Sequence, residues 1–86
     1  MYIYRSQHAG IALRHDRQEP SEYTPFNLHT HATAELYYMV SGGGVFHVEG
    51  SSYRLQPGDI LLMRPAEAHY IEQDPLLPYE RICLNF

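Results

Sequence analysis

Two histidines one residue apart, His29 and His31, are followed by the carboxylate Glu35 and, after a later turn motif, by a third imidazole, His69. In an extended chain, residues i and i+2 point to the same face. If the chain stays extended to Glu35, the carboxylate shares the face of the two histidines. If it folds back through a tight turn at Ala32-Thr33-Ala34, Glu35 lies on a neighbouring strand beside them. Either route gathers imidazoles and a carboxylate, a donor set suited to a divalent transition metal (Zn, Ni, Fe, Mn or Cu) with positions left for water or ligand. Against this stands a metal-free cavity in which His29, His31, Glu35 and His69 hydrogen-bond an effector or ordered water. A plainer alternative leaves His29 and His31 on a loop surface. Tyr37 shares the strand parity of Glu35, and a buried phenol needs a partner, so it joins the candidate ligand contacts. Met39 has the same parity and reads as core.

The elements that must position these groups read as strands. Tyr2-Ile3-Tyr4-Arg5 and Ile11 to His15 alternate loosely about a turn at Ala9-Gly10. Asp16 to Pro25 is polar with two prolines and reads as a loop. Phe26 to His31 reads as extended. Leu36 to Val40 is rich in strand formers, and Gly42-Gly43-Gly44 suits a hairpin to Val45-Phe46-His47-Val48. Glu49-Gly50-Ser51 turns this strand into Ser52 to Leu55, and Pro57-Gly58 is a strong turn signal. Asp59 to Met63, apolar on both faces, reads as a buried strand. Pro65 to Ala68 is a turn, His69 to Glu72 a short strand and Asp74 to Pro78 a loop. In Tyr79 to Phe86 the set Glu80, Ile82, Leu84 and Phe86 reads as core. Roughly eight short strands and no convincing helix give an all-β sandwich or barrel.

The 86 residues suffice for a single domain. A domain this small buries only about 60–65% of its unfolded surface, so a partner surface adds stability. With eight tyrosines this suggests a homodimer. The formal charge is −4, lysine is absent and the six arginines are scattered, so no basic stripe exists for direct contact with nucleic acid. The single cysteine, Cys83, excludes an internal disulfide and fits a reducing cytoplasm. No apolar run approaches the ~20 residues of a membrane span, and the N-terminus lacks the apolar core of a signal peptide. His8, His15 and His47 read as ordinary strand histidines, and Asp59 as a turn carboxylate. No Ser/His/Asp or Cys/His arrangement marks a nucleophile.

His29-Thr30-His31, three residues, Glu35, six residues and Gly42 resemble the first motif of the cupin family, small β-barrels of jelly-roll type. Pro57-Gly58-Asp59, the strand Ile60 to Met63, Pro65 and His69 resemble its second motif. The first motif's earlier glycine is replaced by Tyr23. Glu67 stands where many cupin enzymes carry glycine, and Gln73 replaces their usual asparagine. Pro65-Ala66-Glu67-Ala68-His69 and the ending YERICLNF are similar to the N-terminal sensor domains of AraC-type transcription regulators. The resemblance covers about Phe26 to Phe86. It implies a cupin-type double-stranded β-helix (jelly roll) that binds a small polar effector, a sugar or metabolite, near His29, His31, Glu35, Tyr37 and His69. It implies that residues 1–86 are the sensing and dimerising part of a longer regulator whose DNA-binding half lies elsewhere, consistent with a chain that stops on a strand. The rival reading is a stand-alone metal-dependent enzyme of dioxygenase or isomerase type. Against it stand Glu67 in place of glycine and the absence of an acid–base partner beyond the metal ligands.

Overall fold

The computed structural model describes residues 2–22 and 32–86. Its strands are β1 (Tyr2–His8), β2 (Ile11–Gln18), β3 (Glu35–Ser41), β4 (Gly44–Val48), β5 (Ser51–Leu55), β6 (Ile60–Met63), β7 (His69–Gln73) and β8 (Tyr79–Asn85). A 3-10 turn at Pro20–Glu22 is the only helical segment among the described residues. The expected all-β architecture is therefore present. The strands form two antiparallel sheets, ordered β1-β2-β8-β3-β6 and β5-β4-β7. The sheets stack with Met39, Met63 and Cys83 of the larger one among the buried side chains and Phe46, Val48 and Leu55 of the smaller one joining the same cluster. This is the two-layer arrangement of a jelly roll, with each inner face supplied by alternate residues.

Two hairpins close as their turn residues dictate. Ala9-Gly10 joins β1 to β2, and Glu49-Gly50 joins β4 to β5. Both residues of each pair have positive φ (51° and 81°; 46° and 84°), the conformation that matches the twist of paired strands. Gly42-Gly43-Gly44 departs from expectation. It makes no hairpin, because β3 and β4 lie in different sheets. The glycines carry the chain across the sandwich under close-lying backbone. A Cβ on Gly42 would lie 2.9 Å from the Pro78 carbonyl oxygen, and one on Gly44 2.6 Å from that of Glu72.

Three further expectations are corrected. Asp16–Gln18 continue β2 rather than opening a loop, because β8 offers them partners: Asp16 lies opposite Arg81 and Arg17 opposite Glu80. The strand β6 is not buried on both faces. It sits at the sheet edge, and Ile60 and Leu62 on its outer side are 61% and 59% exposed. The inner set of β8 is Tyr79, Arg81 and Cys83, not Glu80, Ile82, Leu84 and Phe86. Register decides this, since Cys83 pairs with buried Tyr37 and Arg81 with buried Met39. A one-residue change of parity moves every side chain to the other face. The segment Phe26 to His31 lies outside the described residues.

Candidate functional site

The inner face of the larger sheet is polar where β2, β8 and β3 meet. Arg14 lies opposite Cys83, Asp16 opposite Arg81, and Tyr37 opposite Cys83 on its other side. Phe46, His69 and Ile71 face them from the smaller sheet. Between these walls lies a cavity of about 160 Å³, lined by Arg14, Glu35, Tyr37, Phe46, His69, Tyr70, Ile71, Tyr79, Arg81 and Cys83. Its position between the sheets follows from strand parity. β3 sends Glu35, Tyr37 and Met39 inward, and the side chain at the start of β7, His69, meets the first of these.

His69 is set by the turn before it. Arg64 donates its backbone N–H to Glu67 Oε1 at 2.6 Å and its guanidinium to Oε2 at 3.2 Å, and Ala66 adopts a φ of 67°. The Arg64 hydrogen bonds hold the Glu67 carboxyl below its ordinary pKa. Glu67 therefore locks the turn, and its carbonyl oxygen lies 2.9 Å from His69 Nδ1. A carbonyl only accepts, so Nδ1 carries the proton and Nε2 is aimed into the cavity. There Nε2 lies 3.0 Å from Glu35 Oε2, within ion-pair distance but without hydrogen-bond alignment. Glu35 Oε1 lies 3.4 Å from Arg14 Nη2. The separation of Nε2 from Oε2 matches two donors on one metal ion at about 2.1 Å each.

The remaining wall is aromatic and cationic. The Tyr37 ring meets Phe46 edge-on, with centroids 4.8 Å apart. The Tyr37 hydroxyl is buried with no hydrogen-bond partner among the described residues. Tyr79 is also buried, which drives its phenol pKa up against the opposing pull of Arg81, whose guanidinium carbon lies 5.2 Å from the ring centroid. Arg81 Nη2 lies 3.6 Å from Asp16 Oδ2. Burial pushes the Cys83 thiol up to about 11. At that value only about one thiol in a thousand is ionised at pH 8, and the thiolate is the nucleophile. Iodoacetamide at pH 8 is thus expected to leave Cys83 essentially unmodified over a period in which the urea-unfolded chain is fully alkylated, as read by intact mass. Equal rates would contradict its burial.

Of the residues singled out by sequence, Glu35, Tyr37 and His69 line this cavity together. His29 and His31 lie outside the described residues. Among the described residues, no group of three His, Cys, Asp or Glu side chains is placed to hold a metal. Sequence reasoning missed Arg14, Arg81, Tyr79, Cys83 and Phe46. No local signal marked them as a group, because they meet only through the register of β2, β8 and β3 and the packing of β4. The six arginines are also less scattered than their numbering suggests, since Arg5 pairs in register with Arg14 on the cavity side of the sheet. His15 instead faces Glu80 at 2.7 Å. His47 stacks on Tyr70, 4.5 Å between centroids, and its two ring nitrogens meet Ser52 Oγ and Glu72 Oε1. No spacing in the sequence marks this Ser/His/acid set, which three strands bring together. It lies on the outer side of the smaller sheet, where it clips β5, β4 and β7 together.

The model of the AraC-like ligand binding domain matches residues 9–86. The chain belongs to that family. An uncharacterised protein of Methanocaldococcus jannaschii is 28% identical over 60 residues, covering 69% of this chain and 48% of that protein. A cupin protein of Bacteroides fragilis superposes with a TM-score of 0.73 at 26% identity, over 90% of this chain and 65% of that one. A predicted oxalate decarboxylase of Thermotoga maritima gives 0.67 at 26% identity, over 88% and 64%. The chain thus spans about half the length of the curated relative and just under two thirds of these two structures. The fold of this AraC-like domain is the cupin jelly roll. No helix among its described residues is long and apolar enough to cross a membrane.

Proposed function

We propose that this AraC-like domain is the small-molecule sensor of a transcription regulator, with residues 1–86 forming one sensing and dimerising unit that works in the cytoplasm. The observation that carries the reading is the cavity of about 160 Å³, walled by Glu35, His69 and the unpartnered hydroxyl of Tyr37. Buried polar groups in a folded protein have partners, so a cavity holding an orphan hydroxyl calls for an occupant that supplies one. His29 and His31 complete the ligand contacts by their motif spacing. Effector binding then biases whichever arrangement of the regulator holds it more tightly. The test is a thermal-shift screen of sugars, polyols, amino acids and organic acids. A ligand at one hundred times its Kd is expected to raise Tm by on the order of 10 °C, with a smaller rise for Tyr37→Phe. A screen with no stabilising compound would count against the reading.

The dimer is assigned to the outer side of the larger sheet. Leu36, Tyr38, Ile60, Leu62, Ile82 and Leu84 lie in register there, and Ile60 and Leu62 are more than half exposed. Strands about 4.8 Å apart and about 23 Å long give this face a flat area of roughly 500 Å², close to one side of a standard interface once side-chain relief is added. The His15–Glu80 pair supplies a polar rim. A second copy fits because a self-complementary apolar patch suits a two-fold axis. Leu62→Glu is expected to halve the mass by sedimentation equilibrium without changing the fold. A wild-type monomer at high concentration would contradict the assignment.

The 3.0 Å approach of His69 Nε2 to Glu35 Oε2 favours a second reading, a metal-dependent cupin enzyme of dioxygenase or isomerase type. A predicted oxalate decarboxylase stands among the similar structures. His29, His31, Glu35 and His69 would hold the divalent ion (Zn, Ni, Fe, Mn or Cu), which supplies Lewis-acid or redox chemistry when bound. In this reading Glu67 fixes the His69 ring through Nδ1, and Arg14 orients Glu35. Elemental analysis decides. Near-stoichiometric metal, lost in His31→Ala, supports it, and no uptake from any of these salts sinks it.

A further inference from the structure

We propose that the outer side of the smaller sheet carries a second site, in which Ser52 is a nucleophile that takes the acyl group of a small uncharged ester, with His47 as its base and Glu72 as the residue that positions the base. The site is separate from the cavity and does not rest on the sensor reading. Its geometry begins with three strands. Ser52 Oγ lies 2.9 Å from His47 Nδ1, and His47 Nε2 lies 2.5 Å from Glu72 Oε1. A carboxylate only accepts, so in the neutral ring Nε2 carries the proton. Nδ1 is then the acceptor, and the Ser52 hydroxyl donates to it. This is the order of contacts that activates a hydroxyl: nucleophile on base, base on an orienting acid. The ring is also held in place by stacking on Tyr70, with centroids 4.5 Å apart and planes 22° from parallel. Ser52 itself is exposed, so an ester can reach it.

Register supplies the next part. Glu49 donates its N–H to the Ala68 carbonyl, which makes Glu49–Ala68 and, two residues on, His47–Tyr70 the hydrogen-bonded pairs of β4 with β7. His47 therefore faces Ser52 as a non-hydrogen-bonded pair, the kind that brings side chains closest. The Ser52 backbone N–H points away from β4. β5 is the outer strand of its sheet, so among the described residues that N–H meets no strand partner. A nucleophile's own N–H is one of the donors that stabilise the oxyanion in serine-based acyl transfer. A hollow of about 420 Å³ adjoins the pair, lined by His47, Glu49, Gly50, Ala68 and Tyr70. The Glu49 carboxylate on its wall disfavours an anionic ester. Only Ala68 and Tyr70 offer it apolar side-chain surface, so a long acyl chain gains little there. In the reaction Ser52 Oγ bonds to the acyl carbon while its proton passes to His47 Nδ1. The ester C–O bond breaks, and that proton leaves with the alcohol. Water then adds to the acyl carbon through the same base, releasing the acid and restoring the serine hydroxyl.

The experiment treats the 86-residue protein with p-nitrophenyl acetate and follows nitrophenol release, with intact mass and peptide mapping to place the acetyl group. One acetyl group is expected on Ser52, and Ser52→Ala, a change at an exposed edge position, is expected to remove it. His47→Gln is expected to slow acetylation of Ser52 by about 10²–10⁴-fold, the range for a positioned general base. Glu72→Gln is expected to slow it less, at saturating ester and with the half-saturating concentration unchanged, a split that a role confined to clipping the strands would not produce. Circular dichroism confirms that each variant is folded, and Glu72→Gln keeps the test decisive if His47→Gln is not. Acetyl groups on tyrosines with Ser52 unmodified, or acetylation of Ser52 at the wild-type rate in the folded base and acid variants, would overturn the assignment.

Discussion

Phe46→Ala is expected to lower the unfolding free energy by about 3–5 kcal/mol, the range for truncating a buried phenylalanine. Phe46 is 3% exposed and stands at the centre of β4, the middle strand of the smaller sheet. Its ring packs edge-on against Tyr37 of the larger sheet and lies 5.9 Å from the His69 ring. It therefore joins the two layers and closes one wall of the cavity. Alanine would enlarge that cavity rather than let it collapse, because the strands on either side are fixed by their ladders. A domain of this size has about 4–13 kcal/mol in total, so the variant should sit at the edge of folding. Urea denaturation checks this. A loss under 1 kcal/mol would mean that the sheets are held together elsewhere.

Glu35→Ala is expected to cost about 2–3 kcal/mol and to abolish ligand binding. Breaking a fully buried pair by removing one partner costs about 3–5 kcal/mol because a charge is left without compensation. The figure is discounted here because the Arg14 side chain is 34% exposed and can turn to water. Glu35 itself is buried, with a side chain 5% exposed, and joins Arg14 to His69. The double variant Glu35→Leu with Arg14→Met should recover most of the lost stability, since removing both partners leaves no orphan charge. It should recover none of the binding. Recovery of binding would show that the ligand does not use this end of the cavity.

The fold was legible because its signals are local. Turn pairs such as Ala9-Gly10 and Pro57-Gly58, separated by short runs of strand formers, mark the strands that the structure contains. The errors are of strand extent, parity or sheet membership, all of which depend on distant partners. Nothing within Tyr79 to Phe86 says which alternate set faces inward, since Ile82 and Leu84 are as apolar as Tyr79 and Cys83. Only the pairing of Cys83 with Tyr37 settles it. The triple glycine looked like a hairpin because positive φ is common to hairpins and crossings, and only the overlying Glu72 and Pro78 backbone distinguishes them. The cavity was half legible for the same reason. Motif spacing singled out Glu35 and His69, and strand parity added Tyr37, but Arg14 and Arg81 enter by register across β2 and β8, whose His15 and Glu80 are 65 positions apart.

Amide chemical-shift mapping of the ¹⁵N-labelled protein, with a ligand found by screening, tests the central claim most directly. Binding inside the cavity predicts the largest shifts at Glu35–Met39 of β3, His69–Ile71 of β7 and Tyr79–Cys83 of β8, together with the side-chain Nε–H signals of Arg14 and Arg81. Shifts concentrated at His47, Ser52 and Glu72 on the outer side of the smaller sheet, with the cavity strands unmoved, would contradict it.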